Sequence, residues 1–185
     1  AQHSSFEETC HLLLKGELPT RAQLDAFTRE LKAARRLPEG VVEIIRGVKT
    51  AHPMDVLRTG VSVLGTIEPE KDEHGKADAQ RIADRLMASM GSMLLYWYHY
   101  SHHGKRISTE TDDDSIGGHF LRLLHGKKPS EAAVRAMHTS LILYAEHEFN
   151  ASTFACRVVA GTGSDMYSAI CAGIGALRGP KHGGA

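Results

Sequence analysis

The chain predicts an all-α protein, and three observations carry that expectation. Apolar residues recur at helical spacing along nearly the whole length, and no stretch alternates apolar with polar residues as a half-buried strand would. Cap-forming and helix-stopping residues bracket the periodic segments. With 185 residues and 42% apolar content, the chain suits one domain around a single core.

Taken in order, Thr20 with Gln23 forms a capping box ahead of a helix that turns Leu24, Phe27 and Leu31 inward and ends near Arg35, Arg36 and Pro38. Pro38 to Val48 reads as a second, shorter helix. Pro53 stands at a favoured first helical position, so Met54 to Leu64 is expected as the next, stopped by Gly65. Glu68 to Gly75, charged and carrying Pro69, reads as an exposed loop. The longest helix is expected from Ala77 to about Ser101, with Ile82, Leu86, Met90, Met93, Leu94 and Trp97 inward. Small residues along it (Ala88, Ser89, Gly91, Ser92) would admit a close neighbour. Asp113 to Leu124 follows an acidic entry. Ser130 caps a helix presenting Ala133, Met137, Leu141 and Tyr144. Ser152 to Ala160 is short and stopped by Gly161, and Ser164 with Asp165 starts the last helix, Met166 to Leu177.

Charge and cysteine usage narrow the partners. Basic and acidic residues balance at 22 each, so no field of one sign draws the chain toward nucleic acid or a lipid surface. Cys10, Cys156 and Cys171 form no metal-type pair and leave an odd count, which suits a reducing compartment. No signal-peptide core and no span-length apolar run occurs, so a cytoplasmic location is expected.

Several residue clusters suggest a chemistry and also have a blander account. His99, His102 and His103 could bring two imidazoles onto one ion, but no third ligand is at hand and the aromatic neighbours read as packing; no metal is expected. Glu8 and His11 form a single Glu-x-x-His pair, half of what a four-helix di-iron site requires. Asp112, Asp113 and Asp114 lack the Gly and Glu of a calcium loop and read as a solvated helix entry. Gly161-Thr162-Gly163-Ser164 follows a helix, not a strand, and reads as a turn.

The closing string, Arg178-Gly179-Pro180-Lys181-His182-Gly183-Gly184-Ala185, places an imidazole among small residues directly after an apolar helix. A substrate could approach it there, although the string also reads as a plain helix stop. Upstream lies Glu146-His147-Glu148-Phe149-Asn150-Ala151-Ser152. His147 reads either as a core histidine at a helix end or, with Glu146, Glu148, Asn150 and Ser152 crowding the same junction, as part of a polar pocket.

Together the two strings resemble the citrate synthase family, whose members share a His-Glu-x-Asn-x-Ser segment and a Gly-Pro-x-His-Gly-x-Ala segment at about this separation. The opening is similar too, from Phe6-Glu7-Glu8 through Leu12-Leu13-Leu14 to Gly16-Glu17-Leu18-Pro19-Thr20, like the family's early helices. Residues 52–60, 96–100 and 111–118 most resemble its 2-methylcitrate branch.

The resemblance implies a partial large helical domain over 1–185, about half of a full member, with the small mobile domain, a second catalytic histidine and a catalytic aspartate lying beyond Ala185. It implies a condensation of propionyl-CoA with oxaloacetate, acyl-CoA being a substrate and no cofactor being needed. His182 would be catalytic, His147 and Asn150 would bind oxaloacetate, and Ser152 would fix the ring of His182. Aligning Asn150 with the His-Glu-Gly-Gly-Asn form of some members takes a one-residue gap. A homodimer is implied, with the helix from Ala77 to Ser101 and the last two helices as candidates for its surface. Acetyl-CoA as the substrate, or a non-catalytic helical interaction module, are the alternatives.

Overall fold

The computed structural model describes residues 3–71 and 74–184, and within them the chain forms helices and no strand. Ala1, Gln2, Asp72 and Glu73 of the expected loop, and Ala185 of the closing string lie outside the described residues. The order is α1 (Phe6–Lys15), α2 (Arg21–Ala33), α3 (Glu39–Gly47), α4 (Pro53–Ile67), α5 (Lys76–His103), α6 (Ile116–His125), α7 (Glu131–Tyr144), α8 (Ala151–Gly161) and α9 (Met166–Leu177). No helix among the described residues is long and apolar enough to cross a membrane.

Local chemistry explains most of the boundaries. Ser5 with Glu8 and Thr20 with Gln23 form capping boxes, each satisfying two backbone donors reciprocally. Pro53 opens α4 where its missing N–H costs nothing, and the His52 ring accepts from the Met54 N–H. Ser130 and Asp165 cap α7 and α9. Gly104 ends α5 in the left-handed region at φ 64°.

Two expected boundaries move, each for a packing reason. Gly65 does not stop α4, which runs on to Ile67. A Cβ at Gly65 would lie 2.6 Å from Cγ of Tyr167, so this glycine makes room for a ring on α9. The helix expected from Asp113 starts instead at Ile116, with Ser115 accepting from the Gly118 N–H as its cap. The preceding carbonyls are taken by a buried cation: the Arg35 guanidinium, 1% exposed, donates to the carbonyls of Asp113 and Ser115.

α5 is the axis of the molecule. On one side Ile82, Leu86, Met93, Tyr96 and Trp97 join Val41 and Ile45 of α3, Val56, Val61 and Leu64 of α4, and Tyr167 and Ile174 of α9 in the main core. On the other, Ala88 meets Cys10, Phe27 and Leu31. The small residues of α5 are taken up inside the chain: Ala88, Ser89 and Ser92 are buried and Gly91 faces Phe120. On α7, Ala133, Met137 and Leu141 are only half-buried and Tyr144 is 82% exposed.

The segment after α4 is tethered, contrary to its reading as an exposed loop. Arg85 grips Glu68 through two hydrogen bonds of 2.9 Å, and the half-buried Glu70 accepts from the Met166 N–H at the start of α9. Such a bidentate pair fixes direction as well as distance. The position of α9, which leads into His182, is thereby tied to α4 and α5.

Candidate active site around His182

α8 and α9 form an antiparallel pair joined by a tight turn in which Gly163 adopts φ 78°. Asn150 begins the pair: its side-chain oxygen accepts from the N–H groups of Ser152, at 2.7 Å, and Thr153, at 3.1 Å, satisfying donors that the first helical turn leaves open. The cap uses only Oδ1 and turns Ser152 toward α9.

Beyond Leu177 the chain curls back on itself. The N–H groups of His182 and Gly183 both donate to the Gly179 carbonyl, at 3.1 and 3.0 Å. A Cβ at Gly183 would fall 1.9 Å from the Leu177 carbonyl oxygen, a backbone atom that cannot swing aside. Only glycine permits this curl. Arg178 anchors it on α4, its Nε lying 3.5 Å from Asp55 Oδ2.

The curl sets the half-buried His182 ring against α8, with Nε2 2.8 Å from Ser152 Oγ. If the hydroxyl donates, Nε2 accepts and the ring proton sits on Nδ1, leaving an N–H donor aimed away from Ser152. Residues 30 apart in sequence thus form one hydrogen-bonded unit.

His147 stands on the turn leading into Asn150, at the same end of the helix pair. It is exposed, and Nδ1 is 3.4 Å from the Glu148 carbonyl oxygen, a long contact. Glu146 and Glu148 are exposed as well, and Phe149, at φ 41°, is 99% exposed. Among the described residues Glu146, His147 and Glu148 therefore face solvent, while Asn150 and Ser152 are half-buried beside them. A cleft of about 600 Å³ does exist elsewhere, lined by Ser5, Glu8, Arg21, Lys128 and His138 among others, and it holds none of the four expected site residues.

The histidines that end α5 and the acidic run before α6 make contacts of their own. His99 Nε2 lies 2.7 Å from the Leu123 carbonyl oxygen and His102 Nδ1 3.1 Å from that of Tyr98, and their rings pack on Tyr98. Asp113 faces Arg122 at 3.6 Å, while Asp112 and Asp114 are exposed. Burial pushes the Cys156 and Cys171 thiols up, away from the nucleophilic thiolate. Sequence reasoning passed over the Asp55–Arg178 anchor, whose partners are too far apart in the chain for any local pattern to link them.

With this geometry in view, the comparisons with known proteins are specific. The family described as citrate synthase, C-terminal domain, matches residues 1–185. A 2-methylcitrate synthase of Shewanella oneidensis is 55% identical over the whole chain, which covers 49% of that protein. The crystal structure of citrate synthase from Pyrobaculum aerophilum superposes with a TM-score of 0.92 at 37% identity, over 98% of this chain and 47% of that one. The structure of the ternary complex of carboxymethyl coenzyme A and oxaloacetate with citrate synthase from Thermoplasma acidophilum superposes with a TM-score of 0.90 at 30% identity, over 98% of this chain and 47% of that one. The chain spans about half the length of the relatives it matches. A family match over the full length, together with a fold shared at this identity, shows that the chain belongs to the citrate synthase family.

Proposed function

We propose that the full-length protein is a condensing acyltransferase that joins propionyl-CoA to oxaloacetate and hydrolyses the resulting thioester, giving 2-methylcitrate and free CoA. The observation that carries this reading is the Ser152–His182 unit, held at 2.8 Å in a chain 55% identical to a 2-methylcitrate synthase.

In this account a carboxylate outside the present chain removes the α-proton of the acyl-CoA. The Nδ1–H of His182 donates to the thioester oxygen as negative charge moves onto it. Ser152 holds the tautomer that makes Nδ1 a donor. The α-carbon of the enol then bonds to the oxaloacetate carbonyl carbon, whose oxygen takes up a proton, and water cleaves the thioester to release CoA. His147 and Asn150 bind oxaloacetate, Asn150 with the part of its amide that the helix cap leaves unused. The thioester already acidifies the α-carbon, so the chemistry asks for no metal or prosthetic group.

The same reading makes the protein a cytoplasmic homodimer. Phe154 and Val158, 70% and 54% exposed on α8, support a surface that a second copy covers. Acetyl-CoA is the second reading, favoured by the 0.92 TM-score to a citrate synthase.

The roles separate by titration. In the full-length protein His182→Ala is expected to abolish turnover while leaving oxaloacetate binding largely intact, whereas His147→Ala weakens oxaloacetate binding too. Equal loss of affinity in both variants, read by calorimetry, would show the assignments to be wrong.

A further inference from the structure

We propose that Gly173 is a positioning residue for His182: bare backbone at this point of α9 lets α8 approach closely enough for the Ser152 hydroxyl to reach the imidazole. The proposal rests on the reading of His182 as the group that meets the thioester. Ser152 and Cys156 lie four residues apart on α8 and so share one face. That face meets α9 at Gly173, which is buried.

A Cβ built there would lie 2.5 Å from Cys156 Sγ, 3.4 Å from the Ser152 carbonyl oxygen and 3.8 Å from Ser152 Cβ. The added methyl would collide with the thiol, while the Ser152 carbonyl and Cβ already stand at ordinary contact distance and leave α8 no slack toward α9. Relief by displacing α8 moves the residue that holds His182. Gly175, on the same helix, meets nothing within 4 Å, so crowding of this kind is particular to position 173. Glycine inside a helix is less favourable than alanine, and close approach of α8 is what it secures here. The 2.8 Å bond has little slack, because a donor–acceptor distance much past 3.2 Å no longer holds a ring in place.

The test compares Gly173→Ala, Gly173→Ala with Cys156→Ala, and Ser152→Ala in the full-length protein. It reads kcat, KM for oxaloacetate and the ¹⁵N signals of the His182 ring. Gly173→Ala is expected to lower kcat by about tenfold or more, a misplacement near 1 Å being worth up to ~100-fold, with KM for oxaloacetate little changed. Its His182 signals should move to those of Ser152→Ala. Removing the Cys156 sulfur should restore most of kcat and the wild-type signals.

An unchanged kcat and unchanged ring signals in Gly173→Ala would overturn the proposal, and so would a double variant that folds without recovery. Should Gly173→Ala fail to fold, the double variant decides: wild-type ring signals support the proposal, while displaced signals or failure to fold overturn it. Should the protein lack condensing activity, the reading of its function fails, yet the ring signals still report whether Gly173 sets the Ser152–His182 bond.

Discussion

At the scale of single residues, His119 shows how far burial can move a side chain from its behaviour in water. The ring is 2% exposed, with Nε2 3.0 Å from Ser92 Oγ and Nδ1 3.0 Å from Thr111 Oγ1. Burial first, and the nearby Arg35 charge second, push its pKa from 6.5 down to about 4. The folded ring therefore stays neutral where the unfolded chain takes up a proton. The His119 contribution is constant above about pH 6.5 and destabilises the fold as pH drops toward 4, by on the order of 3 kcal/mol at the lower end. His119→Gln should lower stability at neutral pH by breaking the hydroxyl contacts, and should flatten the slope between pH 6.5 and 4 in urea unfolding. An unchanged slope would remove His119 as the cause.

No local pattern marks this residue, since its hydroxyl partners lie on α5 and in the loop before α6. The pairing of Ser152 with His182 was accessible from the chain only through its two family-like strings. The exposure of His147 was not accessible even so. Burial at a turn depends on what packs over it, and the crowding of polar residues around 147 reads the same whether they line a pocket or face water.

Helices were the most legible level, because caps and periodicity act locally. The Thr20 box, Pro53, Ser130 and Asp165 all sit where the sequence places them. What the sequence misplaced were boundaries decided by distant partners: Gly65 read as a stop because its role is to receive Tyr167, and Asp113 read as helical because Arg35 is out of view. The same contact supplies a test at this scale. Gly65→Ala adds helix propensity worth about 1 kcal/mol, yet sets a methyl 2.6 Å from the Tyr167 ring. Overpacking should win and destabilise the protein by about 1–3 kcal/mol, read as a lower denaturant midpoint. A raised midpoint would mean that α4 and α9 have room to spare.

For the molecule as a whole, the helical class follows from composition and period, the apolar core divides into two clusters on either side of α5, and the family follows from the match over residues 1–185. The α8–α9 pair is clamped at both ends, by Glu70 at the start of α9 and by Arg178 on Asp55 after its end. That clamping is why a flexible-looking Gly-Pro-Lys-His-Gly-Gly string can present one imidazole in one orientation. Choice of acyl group rests on less, since one methylene is worth only about 1–3 kcal/mol of discrimination. Comparing kcat/KM of the full-length protein for propionyl-CoA and acetyl-CoA, with oxaloacetate saturating and CoA release as the signal, tests the proposed activity most directly. The account predicts turnover of both with propionyl-CoA preferred; a preference for acetyl-CoA of tenfold or more, about 1.4 kcal/mol, or no CoA release from either thioester, would contradict it.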